Sequence, residues 1–299
     1  MLQLVQQVCN EIGIVAPNAV ATNTTQDIIQ ILALMNASGY ELLRKCDWRA
    51  LTKPYIFFTQ YTTTTGTYNP SSLAITGIPN TAGLDTTYMI VGNGFPNATF
   101  VQSVDSSSQV TATNYSTQTV TNGTVYFQKV KYAFPADYDA IVPRTQWDKS
   151  KHWEMLGPED AQQWEWLLSG FISTGPRVRW RLFGSYFQIW PGFSNAENLG
   201  FEYRSKAWVT AADGVTPKNS FTADTDTCIY QDRLMVLMTK LKYFEAKGFD
   251  TTAMYRNWMT ELETDIAQDT SFANLSFAPK PGNILIGYDN IPDTGYGPG

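Results

Sequence analysis

The chain has 299 residues, enough for two domains at the ~150 residues that a domain averages. Hydrophobic residues make up 43% and charged residues 16%, with 9 Trp, 16 Tyr and 16 Phe, which excludes a globally disordered chain. The net charge of -6 argues against a protein that grips nucleic acid through its phosphates, and no apolar run approaches the ~18–20 residues that span a bilayer.

The first 50 residues read as two helices. Leu2, Val5, Val8 and Ile12 recur at helical spacing, and Gly13 is placed to end that helix. Met1-Leu2-Gln3 enters this pattern with no basic segment ahead of an apolar stretch, so a secretory leader is not expected and assembly in the cytosol is. Asn18 to Asn23 is a polar connector. Thr24 or Thr25 is placed to cap a longer helix, with Asp27 near its positive end and Ile28, Ile31, Leu32, Met35, Leu42 and Leu43 on its buried stripe. That helix is expected to end near Cys46-Asp47-Trp48. Residues 50–60 then turn to strand, with Tyr55, Phe57 and Thr59 alternating against Ile56 and Phe58.

Between Lys53 and Lys129 the only charged residues are Asp85 and Asp105, and Thr, Ser, Asn and Gly dominate. Short apolar runs (Leu73–Ile75, Tyr88–Val91, Phe100–Val104, Val110–Thr113, Val125–Phe127) are punctuated by Gly77, Pro79, Gly92, Gly94, Pro96 and Asn122-Gly123. Short strands at regular spacing with turn signals predict a small all-β sandwich or barrel.

Beyond it, Gly157-Pro158-Glu159 reads as a helix start, with Pro in the first turn. The helix runs to about Leu168 and buries Trp164, Leu167 and Trp166. Val178–Phe183, the turn Gly184-Ser185 and Tyr186–Trp190 form a hairpin, and Leu199–Val209 a third strand. Asp226 or Thr227 is placed to cap a helix through Leu234, Leu237, Met238, Leu241 and Phe244 that Gly248 closes. Thr251 or Thr252 starts another through Tyr255, Trp258, Met259, Leu262 and Ile266, and the short link makes the two an antiparallel pair. The last 30 residues lose periodicity to Pro and Gly, yet keep Ile284, Leu285, Ile286, Tyr288 and Tyr296. Either a disordered tail or an extended arm that docks on a partner fits them.

Chemistry has little to work with. His152 is the single histidine, in "DKSKHWEM"; a base formed with Asp148 or Glu154 is conceivable, and a surface loop histidine is the plainer reading. Cys9, Cys46 and Cys228 are far apart, without metal-ligand spacing. Gly92-Asn93-Gly94 lacks the βαβ context of a dinucleotide loop and reads as a turn. The carboxylate pairs Asp137/Asp139, Glu159/Asp160 and Asp224/Asp226 sit at loops or helix starts, where acids cap backbone N–H groups. On a strand, Arg177, Arg179 and Arg181 share one face and Val178, Trp180 and Leu182 the other. Such a row is self-repelling, and fits the carboxylates of a neighbouring subunit, or DNA.

Two stretches carry a resemblance. "LVQQVCNEIGIVAPNAV" with "ILALMNASGYELLRKCDWRALTKPY", and "FPADYDAIVPRTQWDKSKHWEMLGPEDAQQWEWLLSG" with "TGPRVRWRLFGSYFQIWP" and "FEYRSKAWV", resemble head-to-tail adaptor (neck) proteins of tailed bacteriophages, short-tailed ones in particular. "LAITGIPNTAGLDTTYMIVGNGFPNATFVQSVDSSSQVTAT" is similar to small β modules of phage virion proteins. The resemblance implies an α+β chain: a helical-bundle scaffold with a small antiparallel sheet over 1–60 and 128–270, an inserted sandwich-like β domain over 61–127, and an extended C-terminal arm over 271–299. It implies a virion structural subunit without catalysis, cofactor or metal, forming a ring of about twelve copies beneath the portal. DNA would pass through the ring without specific binding, and the ring would be a platform for tail nozzle, tube or spike proteins. Ile284, Leu285, Ile286, Tyr288 and Tyr296 would then contact the portal, and Arg177, Arg179 and Arg181 a neighbouring subunit. The alternatives are a tail-tube or nozzle component and a glycan-binding virion protein.

Overall fold

The computed structural model describes residues 1–170 and 177–269. Helix α1 (Leu2–Ile12) buries Leu4, Val5, Val8 and Cys9, and ends where Gly13 turns left-handed (φ 79°) and donates its N–H to the Cys9 carbonyl. Helix α2 (Gln26–Leu43) follows Thr25, but the Thr25 hydroxyl makes no capping bond; Asn23 Oδ1 instead accepts the Thr25 N–H at 2.8 Å. α2 stops at Leu43, short of the expected Cys46–Trp48. Trp48 folds back there, and its indole N–H donates to the Leu42 carbonyl at 2.7 Å, which satisfies one of the helix's terminal acceptors.

Strand β1 (Thr52–Phe58) has the expected alternation: Phe57 is buried, while Ile56 and Phe58 are exposed. Then come β2 (Tyr61–Tyr68), β3 (Ala74–Ile75), β4 (Tyr88–Gly92), β5 (Val101–Ser106), β6 (Gln109–Ala112) and β7 (Val120–Lys129). They make two antiparallel sheets, ordered β2-β7-β4 and β3-β6-β5. Tyr68, Ile75, Ile78, Val110, Val125 and Phe127 are among the residues of their common core. Gly66 admits this packing, because a Cβ there would come within 2.7 Å of Ile75 Cγ2. Met89 on β4 and Phe100 belong to a second core, so the unit also packs on the rest of the chain.

That second core is built from β8 (Lys131–Ala133), β9 (Tyr138–Ile141), β10 (Trp147–Asp148), β11 (Trp153–Glu154), α3 (Ala161–Leu168), β12 (Arg179–Phe183), β13 (Tyr186–Trp190) and β14 (Asn198–Ser205). β14 is central to one antiparallel sheet, flanked by β1 on one side and by β9 and β10 on the other, and β12-β13-β8 form a second. The helix start differs from expectation. Pro158 precedes α3, and Asp160 is the N-cap: its carboxylate accepts the Gln163 N–H at 2.7 Å while Gln163 Oε1 accepts the Asp160 N–H at 3.2 Å. Residues 156–159 are instead tied to the hairpin, through Leu156 N–H to Val178 O and Glu159 N–H to Trp180 O. Trp164 and Leu167 are buried, but Trp166 is exposed.

The third expected strand breaks at Ser205, where the register shifts and the Ser205 hydroxyl donates to Asp137. Trp208 and Val209 cross into a third core, with β15 (Val209–Thr210), β16 (Pro217–Lys218) and β17 (Thr227–Cys228) in a small antiparallel sheet. Helices α4 (Asp232–Ala246) and α5 (Thr252–Asp269) complete it. Neither Asp226 nor Thr227 caps α4. Asp226 is fully buried and accepts the N–H groups of Thr222 and Ala223 and the Lys218 ammonium, and Thr227 pairs in β17; the helix begins after Gln231. α1, α2, α4 and α5 share this core with Trp208, whose ring edge meets Phe221 at 5.1 Å. The molecule is thus α+β with antiparallel sheets. No described helix is long and apolar enough to cross a membrane.

Candidate interaction surface

Antiparallel register decides what the β12-β13-β8 sheet presents. Arg181 lies opposite Gln188, and Gln188 opposite Lys131, so these three form one row across the sheet. The next row is Phe183, Tyr186 and Ala133, and on the other side Arg179 lies opposite Trp190. The expected arginine face therefore exists for Arg179 and Arg181, but the two differ in partners. Arg179 forms an ion pair with Glu159 at 2.5 Å, joining β12 to the segment before α3. Arg181 donates its Nε–H to Gln188 Oε1 at 3.0 Å, and its guanidinium carbon lies 4.5 Å from the ring centroids of both Trp164 and Phe183. Arg177 lies before the strand and is exposed.

Lys131 completes the surface. Its ammonium lies 5.9 Å from the Phe183 ring and 5.6 Å from the Phe100 ring. Burial pulls the Lys131 ammonium below its ordinary value, and the nearby Arg181 adds to the effect; burial also lowers Arg181. Beside the row is an open groove of about 530 Å³, lined by Phe134, Pro135, Tyr138, Leu182 and Tyr186 with the hairpin tip. Lys131 and Gln188 were not among the residues singled out from sequence. The hairpin spacing around Gly184-Ser185 already sets Gln188 opposite Arg181, but the three-residue β8 has no periodicity to reveal Lys131.

The catalytic candidates do not gather. His152 is exposed in a turn with φ 58°. Asp148 is buried, and its Oδ1 accepts the backbone N–H groups of Ser150 and Lys151. Each carboxylate pair is divided among structural partners: Asp137 holds Lys53, Tyr203 and Ser205, Asp224 holds the N–H groups of Val20 and Ala21, and Glu159 holds Arg179. Burial pushes the Cys46 and Cys228 thiols up to about 11, so few are thiolate at neutral pH. Gly92 ends β4 and Asn93-Gly94 turns. Among the described residues, no group of three or more His, Cys, Asp or Glu side chains is placed to hold a metal ion. Ile284, Leu285, Ile286, Tyr288 and Tyr296 lie outside the described residues. Compared with models of known protein families and with curated proteins, the chain matches none.

Proposed function

We propose that this chain is a structural, non-catalytic subunit of a phage head-to-tail adaptor ring, which binds below the portal, extends the DNA channel and carries the tail. In this reading α1, α2, α4 and α5 are the helical-bundle part of the scaffold, and residues 61–127 are an inserted sandwich-like domain hung from the scaffold's sheets, between β1 and β8. The segment 271–299 is the arm that meets the portal, and the arginine strand is a contact between subunits in the virion.

The observation that carries the reading is how the chain closes. Its first and last described segments, 1–51 and 208–266, share one helical core, while 61–129 leaves and returns at a single place, where β2 pairs with β7. A scaffold closed by the first and last described segments supports a peripheral insert without depending on it. The net charge of -6 suits a channel wall past which DNA slides. Electron microscopy of the purified chain mixed with the portal tests the proposal. A second ring seated under the portal is the expected image; portal rings unchanged at saturating chain contradict it.

A further inference from the structure

We propose that Lys131 and Arg181, the half-buried cations on either side of the buried Gln188, receive a carboxylate from α5 of a neighbouring copy of this chain, an inference that rests on the ring reading above. Three features of the row point to an anion. First, it offers cationic donors: among the described residues Lys131 and Arg181 form no close ion pair, Asp85 and Glu165 acting on them only at longer range, whereas Arg179 two positions along β12 is neutralised by Glu159. Second, it is preorganised. The Gln188 carbonyl holds Arg181 Nε, and the Trp164 and Phe183 rings flank the guanidinium, which leaves its remaining N–H groups for a ligand. Third, two like charges face the same Phe183 ring and repel each other. An anion between them turns that repulsion into attraction.

The anion fits a protein carboxylate better than a nucleic-acid backbone. The row has two cations hemmed in by aromatic rings, on a chain of net charge -6, whereas duplex binding draws on many phosphate contacts. The complementary charge lies on α5. After Arg256 this helix has no Lys or Arg and carries Glu261, Glu263, Asp265 and Asp269. Glu263 is exposed and Glu261 half-buried, and neither forms an ion pair among the described residues. Asp265 beside them is buried, with one carboxylate oxygen lacking a partner. α5 packs in the helical core and the basic row in the hairpin core, so the two faces differ. Complementary patches on different faces of one chain make a head-to-tail contact, the kind that closes a ring.

Charge reversal tests this, with assembly read by native mass spectrometry of the full chain alone and on the portal, over a series of salt concentrations. K131Q/R181Q and K131E/R181E are each expected to raise the concentration for half-assembly at least about tenfold and to flatten its salt dependence. E261K/E263K should do the same. K131E/R181E/E261K/E263K should restore assembly, since each copy then offers reversed partners to the next. Circular dichroism melts show whether each variant is folded, and the glutamine pair serves if K131E/R181E is not. Rings from the wild-type chain that form equally well from the variants overturn the contact alone, as does a quadruple variant no better than the doubles. A wild-type chain that forms no ring, alone or on the portal, overturns the ring reading and the contact with it. Duplex DNA binding by the wild-type chain that K131Q/R181Q abolishes would assign the row to phosphate instead.

Discussion

Asp137 holds two strands to the loop before β9. It accepts from Lys53 on β1 at 2.8 Å, and from Tyr203 and Ser205 on β14 at 2.9 and 2.7 Å. Burial opposes its ionisation, but Lys53, Ser205 and Tyr203 outweigh burial and hold the carboxyl below the ordinary 3.8. A depressed acid stabilises the fold above its unfolded value, and the contribution disappears as pH falls through the folded value. Asp137→Asn should therefore cost about 2 kcal/mol at pH 7, and the gap from the wild-type chain should close below about pH 4. Thermal melts from pH 7 to the acid limit measure it; a constant gap would show that the charge is not what matters. Gly39 is a second determinant. A Cβ there would lie 2.2 Å from the buried Trp208 ring, so Gly39→Ala should cost about 3 kcal/mol in urea unfolding. A neutral outcome would mean that the indole can shift. This constraint was invisible in the sequence, where Ser38-Gly39 is only a weak spot inside a helical pattern; Trp208, its partner, is 169 residues away.

At the scale of elements, what was legible followed from periodicity. The hairpin, β1, β4, β5, β6, the apolar end of β7 and the bodies of the helices show in apolar runs, alternation or helical spacing, whereas the threonine-rich β2 was not among the expected strands. The starts of α2 after Thr25 and of α5 at Thr252 fall where expected, but those of α3 and α4 do not. Asp226 has the chemistry of a cap but serves a buried turn, and Pro158 lies in an extended segment held by the hairpin's backbone. Two-residue strands such as β10, β15 and β17 have too little length to show a period. The arginine face was legible as a face, while the division of labour along it depends on α3. Glu159 is 8% exposed at its side chain, so removing its partner strands a charge. Arg179→Ala should cost about 3 kcal/mol, whereas Arg177→Ala at the exposed position should cost below about 0.5 kcal/mol. Equal effects in urea unfolding would show that the Glu159–Arg179 pair does not fasten β12 to the α3 segment.

At the scale of the whole molecule, three cores are joined in series, and their coupling is uneven. The core between Tyr68 and Phe127 meets its neighbour through Met89 and Phe100. Thr65 and Thr124 lie opposite each other, so a short turn between them can replace residues 66–123. That deletion removes β4 and its Met89 contact, yet leaves every residue of the helical core in place. It should melt earlier than the full chain but keep the tryptophan environment of Trp208 and Trp258 and, on the ring proposal, still assemble as the full chain does. Collapse of the helical signal would show that the insert is part of the scaffold. The proposed ring rests on resemblance, because no spacing of residues encodes a copy number. The most direct measurement is the native mass of the purified chain, alone and after mixing with the portal. The ring reading expects a closed multiple of the chain mass, near twelve copies, on the portal. A chain that remains a monomer in both samples would contradict it.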